Sequence, residues 1–224
     1  MTQLTQNCIK ILSNFSTINN SIYIKANSPV ISTISDDKTI IAEANSPIQF
    51  PIDFALYDLK KFLSAYLLLD SPEENPSIEF FEKSLVITGG NKQIEFFYCS
   101  PQLINYPKKS VVLNDIAASF QLPKNELIRL QKAAAILGCE NIIIEENDEE
   151  VKISVKDQNN KTSDSLSVVF SGEIKPNSKF VFNIEKFKFI SESYEVYIDS
   201  RGIGLFHNDS LGLKYYVQGE FNEE

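Results

Sequence analysis

The chain has 224 residues, 43% of them hydrophobic, and a formal net charge of −9 at pH 7. This length suits one large domain or two of about 110 residues. No apolar run approaches the roughly 20 residues of a membrane span. The N-terminus lacks a basic head followed by an apolar core, so no signal peptide is predicted. We therefore expect a cytoplasmic protein without a membrane segment.

The first predicted element is an amphipathic helix over residues 4–18. Apolar residues recur every three or four positions on one face, and the opposite face is polar without any acidic residue. The apolar face holds Leu4, Cys8, Ile11, Leu12, Phe15 and Ile18, and the polar face holds Gln3, Gln6, Lys10, Ser13 and Thr17. Asn19, Asn20 and Ser21 end the helix, and the alternation over residues 21–26 predicts a strand.

A second helix is predicted from Asp58, a residue suited to the N-cap, to residue 69. Stretches rich in β-branched and aromatic residues predict strands on both sides of this helix. They are residues 30–35, 38–45 and 48–54 before it, and residues 77–82, 85–88 and 93–98 after it. Gly89, Gly90 and Asn91 are typical of a hairpin turn between the last two strands.

Residues 100–110 contain two prolines and two lysines and lack clear periodicity, which indicates a link between domains. We predict an N-terminal domain of residues 1–105, a connector of residues 106–112 and a C-terminal domain of residues 113–224.

The second half repeats the order of the first. A strand over residues 111–121 precedes a third helix, which begins after Pro123 and ends at Gly138. Residues 184–190 are expected to form a fourth, two-turn helix, although Phe180, Phe182 and Ile184 also fit an uninterrupted strand. The other predicted strands are residues 141–145, 151–156, 166–170, 179–183, 195–199, 202–206 and 213–219.

The four helices begin near residues 4, 58, 124 and 184, and each precedes about three strands. An approximate period of this kind indicates repeated supersecondary units. Two units before the connector and two after it predict two similar domains, each with two helices packed on antiparallel sheets. The predicted fold class is therefore α+β.

Positive charge is concentrated on the predicted helices, which hold eight basic and three acidic residues, a net charge of +5. The remainder of the chain must then carry −14. The basic residues are Lys10, Lys60, Lys61, Lys124, Arg129, Lys132, Lys186 and Lys188. If the helices share one side of their sheets, this basic face would attract a polyanion from that side only. Lysines on solvated helix faces are common, so an ordinary surface remains the alternative.

Nothing in the sequence predicts an enzyme, a cofactor or a metal site. His207 is the only histidine, and no glycine pattern of a nucleophile elbow surrounds a serine. The Gly89-Gly90 and Gly202-x-Gly204 pairs match neither a P-loop nor a dinucleotide-binding turn. The three cysteines lie far apart, which favours buried free thiols over disulfides or a metal cluster.

Three strings carry a family resemblance: NFSTINNSIYIK at residues 14–25, AEAN at residues 42–45 and FALYDLKKFL at residues 54–63. In order and spacing they resemble the N-terminal half of the sliding clamps of T-even-type bacteriophages, a family of DNA polymerase processivity factors. The similarity is close over roughly the first 65 residues. It is looser in the second half, where ELIRLQKAAAILGCENIIIE at residues 126–145 looks like the corresponding helix-to-strand passage.

This resemblance implies three subunits joined head to tail in a closed ring around duplex DNA, with the basic helix residues lining the ring. Its implied partners are the replicative DNA polymerase, the clamp-loader ATPase and viral late-transcription factors, in the cytoplasm of the infected host cell. A polymerase tail would dock in an apolar groove near the connector. The candidate residues for this groove are Ile34, Tyr106, Val111, Val112, Tyr216 and Val217.

A different class of function fits the same composition. The chain could be a monomeric, virus-encoded acidic module that binds another protein without forming a ring. A hydrolase that uses carboxylates ranks behind both readings.

Overall fold

The structure of the protein is a computed structural model that describes residues 1–71, 75–158, 160 and 162–220. The chain divides into two compact units, unit 1 (Met1–Lys109) and unit 2 (Ser110–Glu224). This division falls inside residues 106–112.

Unit 1 contains two α-helices and seven strands in its described residues. The helices are α1 (Gln6–Ile18) and α2 (Leu59–Leu69). The strands are β1 (Ile22–Ile24), β2 (Val30–Ile34), β3 (Ile40–Asn45), β4 (Phe54–Leu56), β5 (Ser77–Phe80), β6 (Ser84–Gly89) and β7 (Lys92–Phe97). Strand β1 pairs with β4, β2 pairs with β3, and β5, β6 and β7 form a sheet in that order. All of these pairs are antiparallel.

Helix α2 follows its Asp58 cap as predicted, whereas α1 begins at Gln6, two residues later than predicted. The Thr5 side chain accepts the Cys8 amide at the start of α1, and the predicted apolar face of α1 is buried. Tyr66 of α2 is buried, and its hydroxyl accepts the Leu4 amide at 3.0 Å and donates to the Pro76 carbonyl at 2.9 Å. These bonds fix α2 between the segments that precede α1 and β5.

Unit 2 contains one α-helix, α3 (Lys124–Leu137), and nine strands in the part of the chain that the structure describes. The strands are β8 (Ile116–Leu122), β9 (Asn141–Asn147), β10 (Glu150–Lys156), β11 (Leu166–Phe170), β12 (Gly172–Ile174), β13 (Lys179–Asn183), β14 (Tyr194–Asp199), β15 (Ile203–Asn208) and β16 (Leu213–Gln218). They follow the orders β12-β8-β14-β15-β16 and β11-β10-β9-β13 with antiparallel neighbours. Gly138 ends α3 at φ +62°, as predicted from its type.

The prediction of a helix over residues 184–190 is wrong. Only the first three of these residues are helical, and they form a single 3₁₀ turn. Phe187 and Ile190 are buried instead, and distant side chains bind their backbone groups. The Gln131 amide donates to the Phe187 carbonyl at 3.0 Å, and the Tyr215 hydroxyl accepts the Ile190 amide at 3.3 Å. These contacts replace the hydrogen bonds that a helix would have made.

Two predicted strands also begin later than expected. The strand predicted over residues 48–54 is observed only as β4, because Pro47 and Pro51 lack the N–H donors of a ladder. The strand predicted from residue 111 begins at Ile116, directly after Asp115, whose φ of +52° interrupts extended pairing. The short strand β12 has no counterpart in the sequence prediction.

Candidate nucleic-acid interface

Two lysines of the predicted basic face, Lys60 and Lys61, lie in the first turn of α2, whose backbone is tied to the end of α1. The Asp58 carboxylate accepts the Lys61 amide at 2.8 Å. The Asn20 side chain donates to Asp58 at 3.0 Å and accepts the Lys60 amide at 2.9 Å, while the Asn20 carbonyl accepts the Leu59 amide at 2.6 Å. The hydrogen bonds from Lys61 and Asn20 hold the pKa of Asp58 below its usual range. Both lysine side chains therefore extend from a fixed backbone.

The side chains of Lys10, Lys60 and Lys61 are exposed. Within the described residues, Lys60 and Lys61 form no ion pair. A phosphate group could contact these two ammonium groups without first displacing a carboxylate, so they are well suited to a polyanion.

The cations of α3 are arranged differently. Arg129 pairs with Glu126 at 2.9 Å, and Lys124 pairs with Glu192 at 3.3 Å. Exposed pairs of this kind contribute little energy, so both cations can exchange partners with a phosphate. Lys132 is exposed and forms no ion pair among the residues that the structure describes.

The last two predicted basic residues do not lie on an α-helix. The Lys186 ammonium donates to the Gln218 carbonyl at 3.0 Å, and Lys188 is exposed in the irregular segment that follows the 3₁₀ turn. Helices α1, α2 and α3 carry a net positive charge without this segment. Helix α1 has a net charge of +1, and α2 and α3 each have +2.

Two of the predicted groove residues, Ile34 and Tyr106, belong to unit 1. The Tyr106 ring packs on Tyr23 with a centroid distance of 4.7 Å, and the Lys108 ammonium lies 5.7 Å from the Tyr106 centroid. These three residues line a cleft of about 460 Å³ that also contains Lys25. The sequence analysis missed Tyr23 and Lys25, although Ile22 and Ile24 on one side of the predicted strand implied that Tyr23 and Lys25 face the other side.

The other four predicted groove residues belong to unit 2. Val112 is 65% exposed, Val111 is half-buried, and Tyr216 and Val217 are buried. Since Val217 is fully buried within the sheet, it can support a groove wall but offers no surface to a ligand.

One turn of unit 2, between β14 and β15, links Val112 to the end of β16. The Arg201 guanidinium donates to the Val112 carbonyl at 2.9 Å, and the Gly202 carbonyl accepts the Gly219 amide at 2.9 Å. This turn therefore brings one exposed connector residue close to the strand that carries Tyr216.

Each unit covers one edge of a sheet with a terminal segment and leaves another edge open. Thr2 forms a bridge to β5, and Glu220 forms a bridge to β13. The outer edges of β7 and β11 have no partner strand among the described residues. Phe97 on β7 is 71% exposed, and Val169 on β11 is 46% exposed. Both open edges therefore carry apolar side chains in water.

The described residues contain no group of three or more His, Cys, Asp or Glu side chains that could hold a metal ion. His207 lies 3.9 Å from Asp209, whose side chain is almost fully exposed. Across these same ranges, no helix has both the length and the apolar character that a membrane crossing requires.

Comparison with known proteins gives concordant results. The family model described as DNA polymerase processivity factor matches residues 5–97. The sliding clamp of Vibrio phage KVP40 is 31% identical, over 97% of this chain and 99% of its own. The sliding clamp of Enterobacteria phage T4 is 24% identical, over 89% and 88% of the two chains. The structure of A. fulgidus PCNA bound to the C-terminal region of FEN-1 matches with a TM-score of 0.69 at 11% identity, over 96% of each chain.

Proposed function

The chain belongs to the sliding-clamp family of DNA polymerase processivity factors, and we propose that three copies close into a ring around duplex DNA. A ring that encircles DNA is retained by topology. Its inner surface therefore needs only weak, sequence-independent contacts with phosphate, which allow the ring to slide. In this role the protein tethers the replicative polymerase and catalyses no reaction itself.

The observation that carries the ring is one open sheet edge in each unit, β7 and β11, each with an exposed apolar side chain. Pairing of β7 in one subunit with β11 in the next would extend both sheets and cover both edges. Such a contact joins two different surfaces, so its repetition gives a head-to-tail assembly that closes when the rotation per subunit fits. Three subunits are the number that the family resemblance implies.

Exposed apolar residues on the helices support the same contact. Leu67 and Leu68, in the last turns of α2, are 48% and 75% exposed, and Ile136 near the end of α3 is 82% exposed. Helix α2 covers the sheet of β7, since Phe62 packs on Phe96 with a centroid distance of 5.8 Å. A subunit contact along β7 could therefore also shield the exposed leucines of α2.

The DNA-facing surface is proposed to be the basic face of the helices. Lys60, Lys61 and Lys132 are its leading members because their side chains are exposed and are not ion-paired with any residue that the structure describes. Arg129 and Lys124 would exchange a carboxylate for a phosphate. Lys10, Lys186 and Lys188 complete the proposed lining, and the acidic remainder of the chain would repel DNA from other surfaces.

The connector region is proposed to bind partner proteins. A C-terminal tail of the polymerase would dock near Tyr106, Val111 and Val112, and the clamp-loader ATPase and viral late-transcription factors would use the same face. The region of FEN-1 in the A. fulgidus PCNA structure is likewise a C-terminal one. These interactions would take place in the cytoplasm of the infected host cell.

Sedimentation equilibrium over a wide concentration range tests the proposal. We expect a species near three times the chain mass of 25.3 kDa that dissociates only on dilution. A strict monomer at the highest concentration would contradict the ring and favour a monomeric acidic interaction module.

A further inference from the structure

A buried carboxylate organises the turn between β14 and β15. Asp199 is fully buried at the end of β14, and its Oδ1 accepts the amides of Arg201 at 3.0 Å and Ile203 at 3.1 Å. Its Oδ2 accepts Arg201 Nε at 2.8 Å and also pairs with Nη2. A buried carboxylate is costly without such donors, so the turn and the Arg201 side chain are held together in one conformation.

Arg201 connects this turn to the connector. Its Nη2 also donates to the Val112 carbonyl at 2.9 Å, and the Asn114 amide approaches Asp199 Oδ2 at 3.5 Å. The guanidinium is planar and is already fixed by Asp199, so the direction of its bond to Val112 is fixed as well. No strand ladder includes residues 111–114 in the described structure. The contacts with the turn therefore take the place of a ladder.

A second set of hydrogen bonds joins Ser200 of the same turn to Asp115. The Ser200 amide donates to the Asp115 carbonyl at 3.0 Å, and the Ser200 hydroxyl donates to Asp115 Oδ2 at 2.7 Å. The Lys175 ammonium pairs with the same carboxylate. The turn therefore holds residues 112–115 at both ends of the segment.

We infer that Asp199 and Arg201 are positioning residues for partner binding, because they order residues 112–114 before a partner arrives. Val112 is 65% exposed on this ordered segment, so its side chain is available for contact. A binding segment that is already ordered loses less conformational entropy when a partner docks. This inference rests on the proposed function, since it takes Val111 and Val112 as part of the partner surface.

Arg201→Gln tests the inference, with Lys179→Gln as the control. Lys179 is an exposed cation at the start of β13 and lies outside this network. Hydrogen exchange measured by mass spectrometry should be about tenfold faster in residues 111–116 of Arg201→Gln and unchanged in α3. The affinity for a labelled C-terminal peptide of the phage polymerase should fall about tenfold, and Lys179→Gln should match the wild type in both measurements.

A second variant covers the case in which Arg201→Gln fails to fold. Arg201→Lys keeps a cation beside the buried Asp199 but lacks the planar group that reaches both Asp199 and Val112. Arg201→Lys should also show faster exchange in residues 111–116 and weaker peptide binding, each to a smaller extent than Arg201→Gln.

The outcomes distinguish a failure of this inference from a failure of the proposed function. Unchanged exchange in residues 111–116 of the folded variants overturns the inference that Asp199 and Arg201 order this segment. Faster exchange with unchanged peptide affinity overturns the positioning role. If the wild-type chain binds no peptide, the partner surface of the proposed function is wrong, and the positioning role fails with it whatever the exchange shows.

Discussion

Replacement of Phe97 by alanine tests the open edge of β7. This side chain is 71% exposed in the isolated chain, so its loss should leave the fold of unit 1 intact. In the proposed ring it would be buried against β11 of the next subunit. Full burial of a phenylalanine is worth about 1.5–3 kcal/mol, so the exposed share corresponds to about 1–2 kcal/mol per subunit contact.

A ring of three subunits contains this contact three times, so the total loss is about 3–6 kcal/mol if the contacts are additive. For a trimer in equilibrium with monomers, that loss raises the concentration of half-dissociation about 10- to 160-fold. Sedimentation velocity over a dilution series measures this midpoint, and circular dichroism reports whether the subunit remains folded.

Phe81→Ala is the matched control, since Phe81 is 45% exposed in the turn between β5 and β6 and lies off the open edge. Its midpoint should equal that of the wild type. The reasoning is refuted if a folded Phe97→Ala chain dissociates at the same concentration as the control.

Three further predictions concern other parts of the chain. Reversal of Lys60 and Lys61 together to glutamate should shorten the DNA made per loading event several-fold in primer extension, with little change in thermal unfolding. Phe206→Ala should lower the free energy of unfolding by about 3–5 kcal/mol in a urea titration, because Phe206 is fully buried in an aromatic cluster with Phe182, Phe187 and Phe189. Burial raises the pKa of Cys8 to about 12, so iodoacetamide at pH 8 should alkylate Cys8 only after urea unfolds the chain. Because this folded-state pKa lies above the unfolded one, the stabilising effect of the neutral thiol is complete below about pH 8.5 and is lost as the pH rises.

Each of these has a result that would count against it. Reversal of Lys38 and Lys83, exposed lysines outside the helices, should leave primer extension unchanged; an equal loss there would argue against a specific basic face. A loss below about 1 kcal/mol for Phe206→Ala would contradict the tight packing of the cluster. Rapid alkylation of Cys8 in the folded chain would contradict its burial.

Local sequence signals predicted the elements whose stability comes from their own residues. The buried face of α1, the Asp58 cap of α2 and the Gly138 end of α3 are confirmed because period and capping chemistry determine them. The Gly89-Gly90 hairpin is also confirmed, with Gly90 at φ +57°. The α+β class and the resemblance to phage sliding clamps are confirmed by the fold and by the KVP40 relative.

The misses depend on contacts between distant parts of the chain. Residues 184–190 have helical spacing, but side chains distant in sequence bind their backbone. Gln131 binds the Phe187 carbonyl, and Tyr215 binds the Ile190 amide from 25 residues away. Residue type alone identified the basic residues of α3. It could not reveal that Glu192 pairs with Lys124, because that partner lies 68 residues away along the chain.

The two open edges differ in charge, and the difference affects the chain before any ring forms. Strand β7 carries Lys92 and Glu95, whereas β11 reads LSVVF and has no charged residue. An unpaired edge without charge is a template for aggregation through backbone hydrogen bonds. A newly made subunit would therefore be most prone to aggregate along β11. Rapid assembly would protect it by covering that strand.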